Sequence, residues 1–259
     1  MRIRTIFAMA GVAVMLLTGT AHAYPIKNPA LKRNALYESG VLAASTCAEP
    51  PIKDGSRAQA KRYIQAILGC LNTSWEGHLT TAGMSFSAPK IEFLDKLPKK
   101  YCGFTFEKDP GSYSLYCNQS RTIMMRIGKD WLRDTDDLWL LHHTAALYGY
   151  HLASLSGIYA AFDKTPYANK SEMNEQIRRF NLYADCLGGV FLHSVQDSLG
   201  RGSGDWKRLL SGLKENGDLK GEARTYGKGS SRAAWVARGY AESDLAACNT
   251  WIAPSSKVA

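Results

Sequence analysis

The sequence predicts an α+β fold, mainly helical with a small β-sheet and stabilised by disulfides. Three observations carry this expectation. Apolar residues recur at helical spacing over several long stretches. Short runs rich in β-branched and aromatic residues are confined to the region between residues 90 and 127. Six cysteines lie beyond residue 23, an even number in a chain with an export-type N-terminus.

The elements follow in chain order. Arg2 and Arg4 precede an apolar run from Ile6 to Leu17, and Ala21-His22-Ala23 follows as a small-x-small triplet. That order is the one of a secretory signal peptide spanning residues 1–23 and cleaved after Ala23. The run is shorter than the ~20 apolar residues a spanning helix needs. The expectation is therefore a secreted protein, extracellular or held in the cell envelope, with no transmembrane segment after signal removal. Residues 24–55, rich in Pro and Asn, read as an extended N-terminal arm tied down at Cys47. Residues 56–259 read as a single domain.

Ala60, Tyr63, Ile64, Ile67, Leu68, Leu71 and Trp75 keep helical spacing over residues 56–78, with Asp54 or Ser56 as the cap. Residues 90–95 read as a strand, and 113–117 and 122–127 as two strands joined by Asn118-Gln119-Ser120. One long apolar helix is expected over 137–162, interrupted only by Gly149 and Gly157, and a second over 171–199. A Gly-rich basic stretch over 200–229 holds a short helix at 206–213, and a last helix runs from Ser230 or Ser231 towards Cys248. Spacing suggests the pairs Cys47–Cys70, Cys102–Cys117 and Cys186–Cys248, while other connectivities stay open.

The formal charge of +9 points to anionic cell-envelope polymer as a partner, although the scatter of the charges is equally what solubility requires. Basic residues are not interleaved with aromatics as in a single-strand groove, so no nucleic-acid partner is expected.

Catalytic chemistry leaves few marks. A zincin helix needs two histidines at i and i+4, so that both rings reach one ion, and a glutamate to act as base on the bound water. The histidines beyond residue 23 are His78, His142, His143, His151 and His193, and no two stand four apart. His143 and His151 are separated by about 12 Å of helix, too far to share an ion. The nucleophile-elbow and phosphate-loop patterns are also missing: Gly200-Arg201-Gly202-Ser203-Gly204 has its serine misplaced and lacks the Gly-Lys-Ser/Thr ending.

Particular residues nonetheless resemble the bacterial neutral zinc metallopeptidases over about 34–251. Leu36-Tyr37, Gly40-Val41-Leu42, Gly69-Cys70-Leu71-Asn72 and Trp75 resemble that family's N-terminal region. Leu115-Tyr116-Cys117 and Ala184-Asp185-Cys186 with Gly189-Val190 resemble its middle segments. Ser231-Arg232, Trp235, Arg238-Gly239-Tyr240 and Ala247-Cys248-Asn249-Thr250-Trp251 resemble its C-terminal segment. The resemblance implies a zincin-like domain. It also implies that this chain's metal site is altered. In the register held by Gly149, His151 and Gly157-Ile158, the two zinc histidines fall on Ala146 and Tyr150, and the general-base glutamate on Leu147. The glutamate ligand falls on Asn181, and the family's Thr-His-Gly element becomes Thr225-Tyr226-Gly227.

Ala146 has no lone pair to offer, Leu147 takes no proton, and neutral Asn181 is a poor zinc ligand. Tyr150 would ligate only as a phenolate. A hydrogen bond between the Tyr150 hydroxyl and Asn181 is the expected replacement for the metal cluster. The leading functional expectation is a catalytically inactive homologue, with no zinc or other cofactor, that binds an extended peptide or a secreted protein. Capture would occur by strand addition along Thr122, Ile123, Met124, Met125, Arg126 and Ile127. One alternative is an active zinc peptidase with the non-standard ligands His151, Asp185 and His193. Another is a basic envelope-associated module.

Overall fold

A computed structural model describes residues 24–106, 111–132 and 137–259. The proposed signal peptide lies outside the described residues. Twelve α and β elements appear among those described. Helix α1 (Pro29–Lys32) and a 3-10 turn at Ala35–Glu38 begin the chain. Helix α2 (Arg57–Thr81) precedes strands β1 (Lys90–Phe93), β2 (Lys100–Tyr101), β3 (Phe104–Thr105), β4 (Tyr113–Cys117) and β5 (Thr122–Arg126). Helices α3 (Asp137–Leu155), α4 (Ile158–Asp163), α5 (Lys170–Leu199), α6 (Ser203–Glu215) and α7 (Gly229–Glu242) complete the order. The α+β class, mainly helical with a small sheet, is thus observed.

Helix α2 forms where the apolar spacing placed it. Ser56 accepts a hydrogen bond from the Gln59 amide as N-cap, and Ala60, Tyr63, Ile64, Ile67, Leu68, Leu71 and Trp75 are all buried. The first segment departs from expectation. Residues 24–55 are not an extended arm: Asn28 and Asn34 cap two short helical turns, and Leu31, Leu36, Tyr37 and Leu42 are buried in the main core. Tyr37 stands edge-on to Tyr183 of α5, and the Glu49 carboxylate takes Arg201 at 2.6 Å. Apolar residues among the Pro and Asn of this segment supply the driving force for that docking.

The long helix expected over 137–162 is two helices. Gly157 takes the left-handed conformation (φ 79°) between Leu155 and Ile158, a region that costs a side-chain-bearing residue energy. The chain turns there, and Ile158 is buried against the rest of the core.

The main sheet has the order β1-β5-β4, with β1 parallel and β4 antiparallel to β5. Strand β5 is therefore central, hydrogen-bonded on both sides. This corrects the expectation of strand addition along residues 122–127: Thr122, Ile123, Met124, Met125 and Ile127 are buried, and the backbone groups of 122–126 already pair with neighbouring strands. A peptide cannot add to it without displacing β1 or β4. The continuous apolar run Ile123-Met124-Met125, lacking alternation, is the sequence signal of a strand covered on both faces.

Helices α3, α5 and α7 form the layer that carries the site. Helices α5 and α7 meet almost backbone to backbone. A Cβ at Gly239 would lie 2.1 Å from the Cys186 carbonyl oxygen, and one at Gly189 would lie 2.2 Å from that of Val236. The Cys186–Cys248 disulfide pins the same contact, and Cys47–Cys70 and Cys102–Cys117 are also formed. These are the pairs that spacing suggested.

Candidate functional site

On α3, His142, Ala146 and Tyr150 recur every fourth residue and so share one face of the helix. On α5, Asn181 and Asp185 do the same. The two stripes face each other. At one end the Tyr150 hydroxyl donates to Asn181 Oδ1 at 2.8 Å, the contact expected from the sequence. Asn181 Nδ2 in turn donates to the Thr225 carbonyl at 2.8 Å. At the other end, the His142 Nε2–H donates to the Asp185 carbonyl oxygen at 3.2 Å. Ala146, between them, is buried, and Leu147 belongs to the hydrophobic core.

The segment after α6 closes this region. The Asp218 carboxylate accepts from the backbone amides of Thr225, Tyr226 and Gly227 at 3.1, 2.8 and 2.7 Å, fixing the loop that delivers the Thr225 carbonyl to Asn181. The Tyr226 ring itself is exposed. Helix α7 contributes Arg232, whose Nε and one terminal nitrogen donate to the two Asp185 carboxylate oxygens at 2.9 and 3.2 Å. Its other terminal nitrogen donates to the Asn216 carbonyl at 2.6 Å.

Electrostatics follow from this packing. Burial pushes the Tyr150 phenol far above its ordinary range, and the nearby Asp185 charge adds to the shift. The Asp185 charge holds the Arg232 guanidinium more firmly protonated than usual, against its burial. His142 is lowered mainly by burial, and His143 is pulled down to about 3, by burial first and then by His142 and Arg232. The neutral imidazole is thus the stable form of both.

The residues present do not fit a zinc ion at these positions. Ala146 and Leu147 carry no donor atom, Tyr150 is held as a phenol, and the Asn181 amide is engaged at both its oxygen and its nitrogen. The other candidate ligands are not brought together either. His151 is fully engaged, its Nδ1 facing the Tyr116 hydroxyl at 3.0 Å and its Nε2 the Ser87 carbonyl at 2.6 Å. Asp185 is taken by Arg232, and His193 packs edge-on against Tyr240. Among the described residues, no three His, Cys, Asp or Glu side chains form a metal-binding group. The alternative ligand set is corrected accordingly: His151 faces the sheet side while Asp185 is spoken for by α7.

Sequence reasoning missed the cavity of about 680 Å³ at the His142 end of these stripes, walled by Trp131, Trp139, His142, His143, Tyr226 and Arg232. His143 stacks on Trp139 with centroids 4.8 Å apart, and Trp131 stands edge-on to both. The His143 Nε2 meets the Ser114 hydroxyl of β4 at 2.8 Å. One signal was available in the chain: Trp139 and His143 lie four apart, hence adjacent on one helix face.

Comparison with known proteins bears on the same residues. Residues 7–251 match the family described as "Putative neutral zinc metallopeptidase". The chain is 25% identical over 209 residues to the uncharacterized protein YpfJ of Escherichia coli K12, covering 74% of this chain and 72% of that protein. The YpfJ protein of Escherichia coli O6:H1 strain CFT073 matches to the same extent. No solved structure matches. With nearly the whole chain inside the family's span, the chain belongs to the neutral zinc metallopeptidase family.

Proposed function

We propose that the protein is an exported, non-catalytic member of its family that holds peptide in the cleft beside the altered site. The observation that carries the reading is the Tyr150–Asn181 hydrogen bond. Two positions that the resemblance assigns to metal ligands engage each other, so a buried cation has been exchanged for a neutral, satisfied pair. The aliphatic side chain of Leu147 at the base position supports the loss of water activation, since nothing there takes a proton. Three disulfides support an oxidising destination, and no helix among the described residues is long and apolar enough to cross a membrane. With β5 central in its sheet, peptide capture moves from strand addition to the cavity between α3, α6 and α7.

Elemental analysis of the purified protein, run beside a peptide-hydrolysis assay, tests the reading. The expected result is below roughly a tenth of an equivalent of zinc, allowing for adventitious histidine binding, and no hydrolysis. About one tightly held zinc per chain, with chelator-sensitive hydrolysis, would overturn it. N-terminal sequencing of the exported form is expected to begin at Tyr24, and retention of residues 1–23 on it would refute the cleavage.

A further inference from the structure

We propose that the cavity beside the altered site binds an uncharged peptide segment, gripping one backbone amide between His142 and Arg232 and one bulky apolar side chain against Trp131 and Trp139. The inference rests on the peptide-holding reading above and gives it a location and a ligand chemistry.

His142 supplies the first half of the argument. The residue is 1% exposed, and its Nε2 meets a backbone carbonyl, which only accepts. The imidazole proton therefore sits on Nε2, and Nδ1 keeps a lone pair. That lone pair has no hydrogen-bond partner among the described residues, and Nδ1 is not among the fully buried unpaired atoms, so it keeps an open surface. The ring's orientation is fixed by α5: a Cβ at Gly188 would lie 2.9 Å from Cδ2 and 3.0 Å from Nε2. The opposite edge, which holds Nδ1, is turned towards the cavity that His142 lines.

Arg232 supplies the complement. A guanidinium carries five N–H groups, and the three bonds to Asp185 and Asn216 use three of them. The remaining donors belong to a side chain that also lines the cavity. Asp185 offsets its charge, so Arg232 offers hydrogen bonds without calling for an anion. One acceptor and one donor lining the same cavity match an amide, with N–H towards His142 and C=O towards Arg232. Arg208, the other cation of the lining, is likewise paired, with Asp205, so neither calls for an anionic ligand.

The aromatic wall favours a side chain over a sugar. Because His143 covers one face of Trp139 and Trp131 closes edge-on against both, the cluster forms an apolar wall, not a row of open ring faces. Leu219 and Tyr226 extend that apolar surface at the rim, 64% and 56% exposed. The volume of about 680 Å³ accommodates a few residues.

The test titrates the purified, oxidised protein with the capped tripeptide acetyl-Ala-Phe-Ala-amide, its Asp-centred counterpart and chitotriose, using calorimetry. Saturable binding of the Phe peptide is expected, with the Asp peptide bound at least tenfold more weakly. His142→Phe keeps a ring but removes the acceptor and is expected to raise Kd about tenfold. Gly212→Trp is the decisive variant. Gly212 lines the cavity, and a Cβ there meets nothing within 4 Å, so the new side chain starts into open space at the cavity wall. Binding is expected to disappear while the melting temperature holds, which decides the matter even if His142→Phe fails to fold. Peptide binding unchanged in Gly212→Trp would overturn the location and leave the peptide-holding reading standing. Chitotriose binding alone, lost in Gly212→Trp, would overturn the ligand class. Absence of binding to any peptide would overturn both this site and peptide capture, whereas stoichiometric zinc with hydrolysis would overturn the non-catalytic reading without touching the cavity.

Discussion

Asp185→Asn isolates the contact that joins α5 to α7 at the site. The carboxylate and the Arg232 guanidinium are 9% and 19% exposed at their side chains and meet through two hydrogen bonds, at 2.9 and 3.2 Å. Unit charges about 4 Å apart attract by about 4 kcal/mol at the effective dielectric of such a place, before the cost of desolvating both is subtracted. Removing one partner of a fully buried pair typically costs about 3–5 kcal/mol, because the other charge is left unmatched. Arg232 retains the Asn216 carbonyl and a fifth of its surface in water, so the expected loss is nearer ~2–3 kcal/mol. For a chain of this size that lowers the melting temperature by about 5–10 °C. Urea unfolding at pH 7.5, with disulfides intact, measures it. A double-mutant cycle with Arg232→Met is expected to return a coupling of about 1.5 kcal/mol or more. A loss under about 0.5 kcal/mol, or a coupling near zero, would show that the pair is solvated and that α7 is held by the Gly189–Gly239 contact and the disulfide alone.

Restoring Ala146→His, Leu147→Glu, Tyr150→His and Asn181→Glu together is expected to create a site for about one zinc per chain, read by elemental analysis, because the two new histidines stand one turn apart and face the new carboxylate. No gain in metal would refute the correspondence of these positions. Stability is expected to fall in acid. His142, His143 and His151 are held below the usual imidazole value, chiefly by burial. The unfolded chain therefore binds more protons below about pH 6.5, and stability is complete above that pH and lost on descending towards the folded values. His143, with its folded value near 3, contributes about 2 kcal/mol of that loss between pH 7 and pH 5. A urea midpoint unchanged over that interval would count against neutral buried histidines. Gly189→Ala is expected to cost more than about 1 kcal/mol, since its Cβ would lie 2.2 Å from the Val236 oxygen. Gly212→Ala, in open space on α6, is expected to gain about 0.5–1 kcal/mol. Thermal melts of the two variants that shifted alike would refute the close approach of α5 and α7.

Much of the fold is written locally. Ser56 and the apolar stripe of α2 announce their helix because capping and 3.6-residue periodicity act within a few residues of the chain. The three disulfides were also within reach, each pair being the nearest in sequence along the chain. Residues 24–55 misled because short capped turns have little periodicity, and their order comes from docking Leu31, Leu36 and Tyr37 into a core built much later in the chain.

The chemistry of the altered positions could be read without a structure, since no spacing of the histidines allows the zinc motif and alanine, leucine and asparagine cannot replace it. Beyond the Tyr150–Asn181 contact, where those residues sit relative to others could not. The central place of β5 depends on β1 pairing with it in parallel from across an intervening segment, a choice that the strand's own residues leave open. The cavity depends on α6, α7 and the loop held by Asp218 closing over α3, and no local pattern records that approach. Composition and periodicity therefore specified the elements, and the family resemblance the positions where donors are replaced. The acceptor that His142 keeps free and the Asp185–Arg232 pair take their places because helices distant in sequence cross at glycine contacts, where packing and not propensity sets which side chains meet.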